Sequence, residues 1–183
     1  TAENAEDKVV FTVNPGMSFG TGSHPSTRFC IEEIEKHLTK GDTVLDLGCG
    51  SGILSIIALL LGAKSATAID IDPNAVDVAY RNLKLNRLTD ENYHVMAGDI
   101  LTDPKLQEQL GTYDIVIANI VADVIIGLSG FVKKFMKKDG TFICSGIILE
   151  RLDEVTAVLE KAGLSIACIR KDDDWAAITC RPA

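Results

Sequence analysis

A glycine-rich loop, Asp46-Leu47-Gly48-Cys49-Gly50-Ser51-Gly52, lies between two apolar segments and is the strongest fold signal in the sequence. Residues 43–47 have the composition of a buried strand, and residues 53–61 that of an apolar helix. Glycines at a strand-to-helix turn let the backbone turn tightly and approach a ligand without a Cβ in the way. The spacing is G-x-G-x-G, so Ile53 stands where a pyrophosphate-binding loop would have its third glycine. The loop predicts a ligand site, with a plain tight turn as the alternative.

Strand-like and helix-like segments alternate outward from this loop. The predicted strands are residues 43–47, 65–69, 93–97, 113–118, 141–145, 164–170 and 175–180. The first five alternate with helices and are nearly continuous in apolar residues, which is typical of a parallel sheet covered on both faces. The last two are joined by too few residues for a crossover, so they form a hairpin. The predicted fold class is α/β: a Rossmann-like, doubly wound, seven-stranded mixed sheet with a C-terminal antiparallel hairpin.

The predicted helices lie at residues 25–38, 53–61, 73–86, 121–136 and 149–162. The first is expected to begin near Pro25 and to carry an apolar stripe that contains Ile31, Ile34 and Leu38. The fourth is expected to end among lysines 133, 134, 137 and 138, because cations at a helix C-terminus compensate the helix dipole. RNA binding by these lysines is the weaker alternative. The acidic stretch 172–174 is expected to be the solvated tip of the hairpin.

Composition narrows the possible functions. The chain has 183 residues, with 18 Lys and Arg against 26 Asp and Glu and a net charge of −8. This length fits one domain, and the negative charge disfavours bulk nucleic-acid binding. Apolar runs are too short to span a bilayer, so no membrane role is expected. The five cysteines form no C-x-x-C pair, which predicts neither a disulfide framework nor a metal site and favours the cytoplasm.

Four polar residues stand where predicted strands end, the edge at which ligands of open α/β sheets bind. Asp70 ends the second strand and is predicted to accept the hydroxyl protons of a ribose. Asp72, beside Pro73, is expected to be the N-cap of the next helix. Asp99 ends the third strand and has two equal interpretations, an acceptor for an adenine amino group or a turn residue. Asn119 ends the fourth strand, which faces the ligand crevice, and its amide offers one acceptor and two donors.

Together these features resemble class I methyltransferases that use S-adenosylmethionine. A narrower resemblance is carried by residues 14–27, N-P-G-M-S-F-G-T-G-S-H-P-S-T, which are similar to the P-G-M-x-F-G-T-G-x-H-x-[ST]-T signature of the PrmA family. That family methylates a ribosomal protein of the large subunit. Its D-x-G-x-G-S-G, I-D-I-D-P, A-N-[IL]-x-A and S-G-I motifs are matched by residues 46–52, 69–73, 118–122 and 145–147. The resemblance covers essentially the whole chain.

The resemblance implies S-adenosyl-L-methionine as cofactor and assigns roles to individual residues. The cofactor would be contacted by Thr27, Gly48, Gly50, Asp70, Asp99 and Asn119. Asn119 would also be the catalytic residue, beside the methyl group and the incoming amine. Phe19 and Thr21 would help cover the pocket. His24 is expected to be a hydrogen-bonded turn element rather than a base.

The implied activity is N-methylation of amino groups, either lysine side chains or an α-amine, on a basic ribosomal protein, to which an acidic chain is a suitable partner. The expected organisation is one domain, in which residues 1–40 cover the cofactor pocket and residues 41–183 form the methyltransferase core. The separate N-terminal recognition domain of the family is expected to be absent. Alternatives are a methyltransferase of a small molecule or RNA, a nicotinamide dehydrogenase, which the terminal hairpin disfavours, and a non-catalytic nucleotide-binding module.

Overall fold

The computed structural model describes residues 10–13 and 24–183 of the chain. Its strands are β1 (Thr43–Leu47), β2 (Ser65–Asp70), β3 (Tyr93–Ala97), β4 (Tyr113–Asn119), β5 (Met136–Ile148), β6 (Leu164–Asp172) and β7 (Trp175–Pro182). Its α-helices are α1 (Pro25–His37), α2 (Ile53–Leu60), α3 (Pro73–Leu85), α4 (Pro104–Glu108), α5 (Ala122–Ser129) and α6 (Leu152–Lys161). Short 3₁₀ turns lie at Asp90–Asn92, Val132–Phe135 and Leu149–Arg151.

The strands form one seven-stranded sheet in the order β3-β2-β1-β4-β5-β7-β6. Neighbours from β3 to β5 are parallel, whereas β7 runs antiparallel to both β5 and β6. The chain order reverses between β1 and β4, which is the switch point where open α/β sheets bind ligands. The predicted fold class, with its terminal hairpin, is confirmed.

Helices cover both faces of the sheet, and two apolar clusters fill the space beneath them. One cluster joins α5 and α6 to the sheet around Ile125, Leu128 and Phe142. The other joins α1, α2 and α3 to the opposite face around Ile34, Ile56 and Ile117. The strands are apolar on both sides because both faces are covered. No helix in the described part of the chain has the length and apolar character needed to cross a membrane.

The predicted helix over residues 121–136 is wrong in its second half. Helix α5 ends at Ser129, and a 3₁₀ turn over Val132–Phe135 leads directly into β5, which begins at Met136 opposite Tyr113. Apolar residues at 132, 135 and 136 have helical spacing, but Gly130 interrupts the helix and these side chains pack on the sheet instead. Helix α4, whose N-cap is Asp103, was not predicted at all.

The predicted end of this helix among the lysines is wrong, because α5 ends at Ser129, before the first of them. Lys133 Nζ donates to the carbonyl of Gly163 at 2.9 Å. Lys137, on β5, forms an ion pair of 2.7 Å through its Nζ with Oδ2 of Asp114 on β4. The apolar stripe predicted for α1 faces the core, since Ile34 is buried and Ile31 and Leu38 are partly buried against the same apolar cluster. The buried face of α1 contains Thr27, Phe29, Cys30, Glu33 and Ile34.

Candidate functional site

A cavity of about 290 Å³ lies at the carboxyl ends of β1, β2 and β3, beside the switch point. Its walls are mostly apolar and are supplied by Leu47, Gly48, Ile69, Asp70, Ile71, Gly98, Asp99, Ile100, Leu101, Ile120 and Val124. Three residues predicted to contact a cofactor, Gly48, Asp70 and Asp99, therefore line one cavity. Among the described residues that line it, the two aspartates carry the only formal charges, and no lysine or arginine is present.

The glycine loop turns through left-handed backbone conformations, with φ of +75° at Gly48, +51° at Gly50 and +76° at Gly52. These angles explain the G-x-G-x-G spacing, because residues with a side chain rarely adopt them. Ile120 lines the cavity on the β4 side. A Cβ added at Gly48 would lie only 2.4 Å from the Cγ2 atom of Ile120. Gly48 is therefore required for two reasons: its backbone conformation is left-handed, and a side chain there would clash with Ile120.

Asp70 is held by the backbone on both sides of its carboxylate. Its Oδ2 accepts a hydrogen bond from the Gly50 N–H at 2.7 Å, and its Oδ1 accepts from the Asp72 N–H at 2.9 Å. Gly50 does not itself line the cavity, so its contribution in the structure is to orient Asp70. Asp72 accepts from the Asn74 N–H at 2.9 Å and is the N-cap of α3, which confirms the predicted cap.

Asp99 has the turn role that was one of its two predicted interpretations. Its Oδ1 accepts from the Leu101 N–H at 2.9 Å and its Oδ2 from the Thr102 hydroxyl at 2.7 Å, so the residue closes a turn. It also lines the cavity. The turn holds the carboxylate in place at the cavity wall, where its remaining lone pairs can accept a donor from a ligand.

Thr27 and Asn119, which are 92 residues apart, meet beside this cavity. The Asn119 side-chain Nδ2 donates to Thr27 Oγ1 at 3.2 Å. Neither residue lines the cavity itself, but Ile120, the next residue after Asn119, does. The structure therefore brings together two groups, the cavity with Gly48, Asp70 and Asp99, and an adjoining polar pair formed by Thr27 and Asn119.

The loop that follows β4 is fixed by a second glycine. The Ile120 N–H donates to the Ser145 carbonyl at 3.0 Å, and Gly146, with φ of +83°, lies so close that an added Cβ would be 2.6 Å from the Ile120 carbonyl oxygen. The register between β5 and β7 shifts at this point. The S-G-I motif thus holds the backbone next to Asn119.

His24 has the predicted turn role. It is the N-cap of α1, and its Nδ1 accepts from the Ser26 N–H at 3.2 Å and lies 2.7 Å from Ser26 Oγ. Its ring packs edge-on against Trp175, with 4.6 Å between ring centroids. Phe19 and Thr21, also expected to cover the pocket, lie outside the described residues.

Asp46 is a feature of the site that the sequence indicated only as part of a motif. Its side chain is 1% exposed, its Oδ2 accepts from the Ser55 N–H at 3.1 Å, and its Oδ1 has no hydrogen-bond partner among the described residues. Burial, together with the nearby negative charge of Asp70, raises the pKa of Asp46 to about 6. The apolar walls formed by Ile71, Leu101 and Val124 were also missed. One signal in the sequence indicated these walls, namely that the apolar residue Ile71 stands between two aspartates in a loop. In the structure, Ile71 is 70% exposed.

No group of three or more potential metal ligands occurs in residues 10–13 and 24–183. The geometry defines a Rossmann-like α/β protein with a terminal antiparallel hairpin and an acidic, apolar cavity at the switch point. The profile of the ribosomal protein L11 methyltransferase (PrmA) family matches residues 1–182. The chain belongs to this family.

Comparison with known proteins agrees with this assignment. The chain is 43% identical over 175 residues to a ribosomal protein L11 methyltransferase of Clostridium botulinum, covering 96% of this chain and 54% of the relative. It is 44% identical over 179 residues to the corresponding protein of Acetivibrio thermocellus, covering 98% and 55%. The chain thus spans about half the length of the curated relatives that it matches.

Solved structures show the same fold. A ribosomal protein L11 methylase from Lactobacillus delbrueckii subsp. bulgaricus superimposes with a TM-score of 0.88 at 29% identity, covering 100% of this chain and 91% of that one. A precorrin-6y C5,15-methyltransferase from Geobacter metallireducens gives a TM-score of 0.70 at 17% identity, with 94% of each chain covered. A protein described as a methyltransferase and solved with SAH gives 0.73 at 17% identity, covering 87% of this chain and 50% of that one.

Proposed function

We propose that this chain is a methyltransferase domain that binds S-adenosyl-L-methionine and methylates amino groups of ribosomal protein L11. The observation that carries the proposal is the charge of the cavity, which has two carboxylates, Asp70 and Asp99, in apolar walls and no lining cation among the described residues. A pyrophosphate would meet repulsion there, whereas a cofactor with an adenosine and a positive sulfonium would not. Membership of the family supports the same cofactor and substrate.

The residues present fit this cofactor. Asp70, fixed from two sides by the Gly50 and Asp72 N–H groups, can accept both hydroxyl protons of a ribose. Asp99 can accept the adenine amino group, with the ring between Leu101, Ile71 and other apolar walls. Gly48 leaves room for the amino-acid part, because a side chain there would fill the space at Ile120.

When bound, S-adenosyl-L-methionine would supply a methyl group that passes from its sulfur to the lone pair of an amine. A free lysine, with a pKa near 10.4, is mostly protonated at neutral pH, so the site must favour the neutral amine. The apolar surroundings of Ile120 lower an amine pKa by desolvation. With its Nδ2 engaged by Thr27, the Asn119 Oδ1 can accept an N–H of the amine and orient its lone pair.

The substrate and location follow from chemistry and family. We propose a lysine side chain or an α-amine as acceptor, because no aromatic residue follows Asn119 to stack a planar nucleobase amine. A net charge of −8 suits a basic protein partner and disfavours bulk RNA binding. The cytoplasm is the expected compartment, since ribosomal proteins are there and the cysteines in the described residues are free thiols. Within the chain, residues 1–40 are proposed to cover the pocket of a core at 41–183.

The test is transfer of a labelled methyl group from the cofactor into a cell extract, with the product identified by mass spectrometry. Label at amines of ribosomal protein L11 is the expected result. Label in RNA or in a small molecule would replace the substrate assignment. No label in any fraction would favour a binding module without catalysis. The Asn119→Ala variant, run in parallel, controls for transfer by contaminating enzymes.

A further inference from the structure

Glu33 is a buried carboxylate on α1 that the proposed chemistry does not use. Its side chain is 1% exposed, and its Oε2 accepts a hydrogen bond of 2.8 Å from the Thr179 hydroxyl on β7. Its Oε1 accepts from Arg170 Nη1 on β6 at 3.4 Å. Burial alone would raise the pKa of Glu33, but the Thr179 hydrogen bond and the nearby positive charges hold it below the usual range. The carboxylate is therefore charged at neutral pH.

Glu33 is the buried member of a row of contacts between α1 and the terminal hairpin. Arg170 also pairs with Glu32, and its guanidinium stands 5.5 Å from the centre of the Phe29 ring. Nearer the start of the helix, Arg28 pairs with Asp172. The exposed pairs contribute little by themselves, because solvent screens them. Glu33, bound by two strands at once, fixes how α1 is rotated and how far it is shifted along the hairpin.

The same helix carries half of the polar pair beside the cavity. Thr27, six residues before Glu33, accepts the Asn119 amide. Between them, Cys30 packs against Ser145 of β5, which is the register partner of Asn119. A rotation of α1 would therefore move the Thr27 hydroxyl away from Asn119, while the cavity, built from other elements, would keep its shape.

A purely stabilising role is a poor explanation for a charge at this position. Replacing a buried ion pair by apolar residues of similar size is often neutral or stabilising, because the desolvation cost offsets the attraction. The hydrogen bonds of Glu33 to Thr179 and Arg170 have defined directions, so they fix the orientation of α1. We propose that Glu33 is a positioning residue, which acts through α1 to keep Thr27 in hydrogen-bonding distance of Asn119 during methyl transfer. This inference rests on the proposed function.

The experiment compares two variants with a matched control on the same helix. Glu33→Gln keeps the size of the side chain and removes its charge, whereas Thr179→Val removes one donor and leaves Glu33 in place. Glu35→Gln makes the same chemical change at an exposed position two residues away. Melting temperatures establish that all three proteins fold. The Asn119 side-chain N–H₂ signal is assigned in a ¹⁵N–¹H spectrum by its loss in Asn119→Asp.

Two readouts follow. In both test variants the Asn119 amide signal should move towards its position in Thr27→Val, and in Glu35→Gln it should stay. With ribosomal protein L11 as substrate, kcat should fall roughly 3- to 30-fold in the test variants, with the KM for S-adenosyl-L-methionine within about twofold of wild type. An unmoved Asn119 signal in the folded variants overturns the proposal, and so does a moved signal with unchanged kcat. The spectroscopic result needs no substrate, so absence of transfer by the wild type would contradict the proposed function and leave the positioning test intact.

Discussion

The Gly50 N–H donates a 2.7 Å hydrogen bond to Asp70 Oδ2, which joins the glycine loop after β1 to the acid that ends β2. The Asp72 N–H holds the other oxygen of the same carboxylate. Asp70 is thus oriented before a ligand binds, and little ordering cost remains when a ribose replaces water at its free lone pairs. A glycine motif and an acid 20 residues apart act as one structural unit.

Replacing this acid should weaken cofactor binding. We expect Asp70→Ala to raise the Kd for S-adenosyl-L-methionine at least about tenfold, because two charge-assisted hydrogen bonds to the ribose are lost. Calorimetric titration measures the change. Asp72→Ala is the matched control. It removes the N-cap of α3, at a cost of about 1 kcal/mol of stability, and should leave the Kd within about twofold. Equal affinities of the wild type and Asp70→Ala would show that the carboxylate does not hold the ligand.

The Thr27–Asn119 pair should affect turnover more than cofactor affinity. Asn119→Ala removes the amide that is proposed to orient the amine, and Thr27→Val removes the hydroxyl that orients the amide. We expect kcat to fall by roughly 10- to 100-fold in Asn119→Ala and by less in Thr27→Val, with small changes in cofactor Kd. Asn92→Ala, at an exposed position in a 3₁₀ turn, is the control. If kcat and cofactor affinity fall together, Asn119 is only part of the cofactor wall.

Ile120 is enclosed by two glycines, and the two should respond differently to alanine. A Cβ at Gly48 would meet the Ile120 side chain, and a Cβ at Gly146 would meet its backbone. Both substitutions should destabilise the protein by about 2 kcal/mol or more, since both positions also have positive φ. Adding Ile120→Ala removes the clashing Cγ2 and should restore part of the loss at Gly48, but none at Gly146.

Chemical denaturation of the single and double variants measures this coupling. Gly111→Ala is the control, because no atom lies within 4 Å of an added Cβ there. If Ile120→Ala restored the stability of both glycine variants equally, the clash at Gly146 would not be with the Ile120 backbone, which contradicts the structure.

Asp46 should give the protein a distinct pH dependence. Its pKa is raised from 3.8 to about 6, chiefly by burial, so the folded state retains a proton that the unfolded state has released. Stability should therefore fall as the pH rises from about 4 to 6 and level off above, by on the order of 3 kcal/mol. Asp46→Asn can still accept from the Ser55 N–H and lacks this titration. The stability difference between Asp46→Asn and wild type should grow over that range, and a constant difference would be inconsistent with a raised pKa.

The sequence predicted the elements whose signals are local. The glycine loop, the acids at strand ends and the short link between β6 and β7 each determine backbone geometry within a few residues, and all of them were found at the expected places. The end of α5 was missed because the apolar residues from Val132 to Met136 fit a helix and a strand entry equally well. Only their packing against the sheet decides between the two.

The other features that could not be predicted from the sequence depend on contacts between residues that are far apart in the chain. The stripe predicted on α1 followed hydropathy and omitted Glu33, because a glutamate is buried only when partners exist. Lys36 and His37 are near in sequence, but the two partners that tie Glu33 to the sheet, Arg170 and Thr179, are 137 and 146 residues away. The meeting of Thr27 with Asn119 depends in the same way on where α1 lies against the sheet. Family resemblance indicated both residues of this pair but not the helix position that joins them.

Calorimetric titration of the 183-residue chain with S-adenosyl-L-methionine and, separately, with NAD distinguishes a methyl-donor site from a dinucleotide site. The acidic, apolar cavity at the switch point predicts saturable binding of S-adenosyl-L-methionine at one site, lost or much weakened in Asp70→Ala, and no comparable binding of NAD. Preferential binding of NAD, or binding of S-adenosyl-L-methionine that is unaffected by Asp70→Ala, would contradict the claim that this cavity is the methyl-donor site.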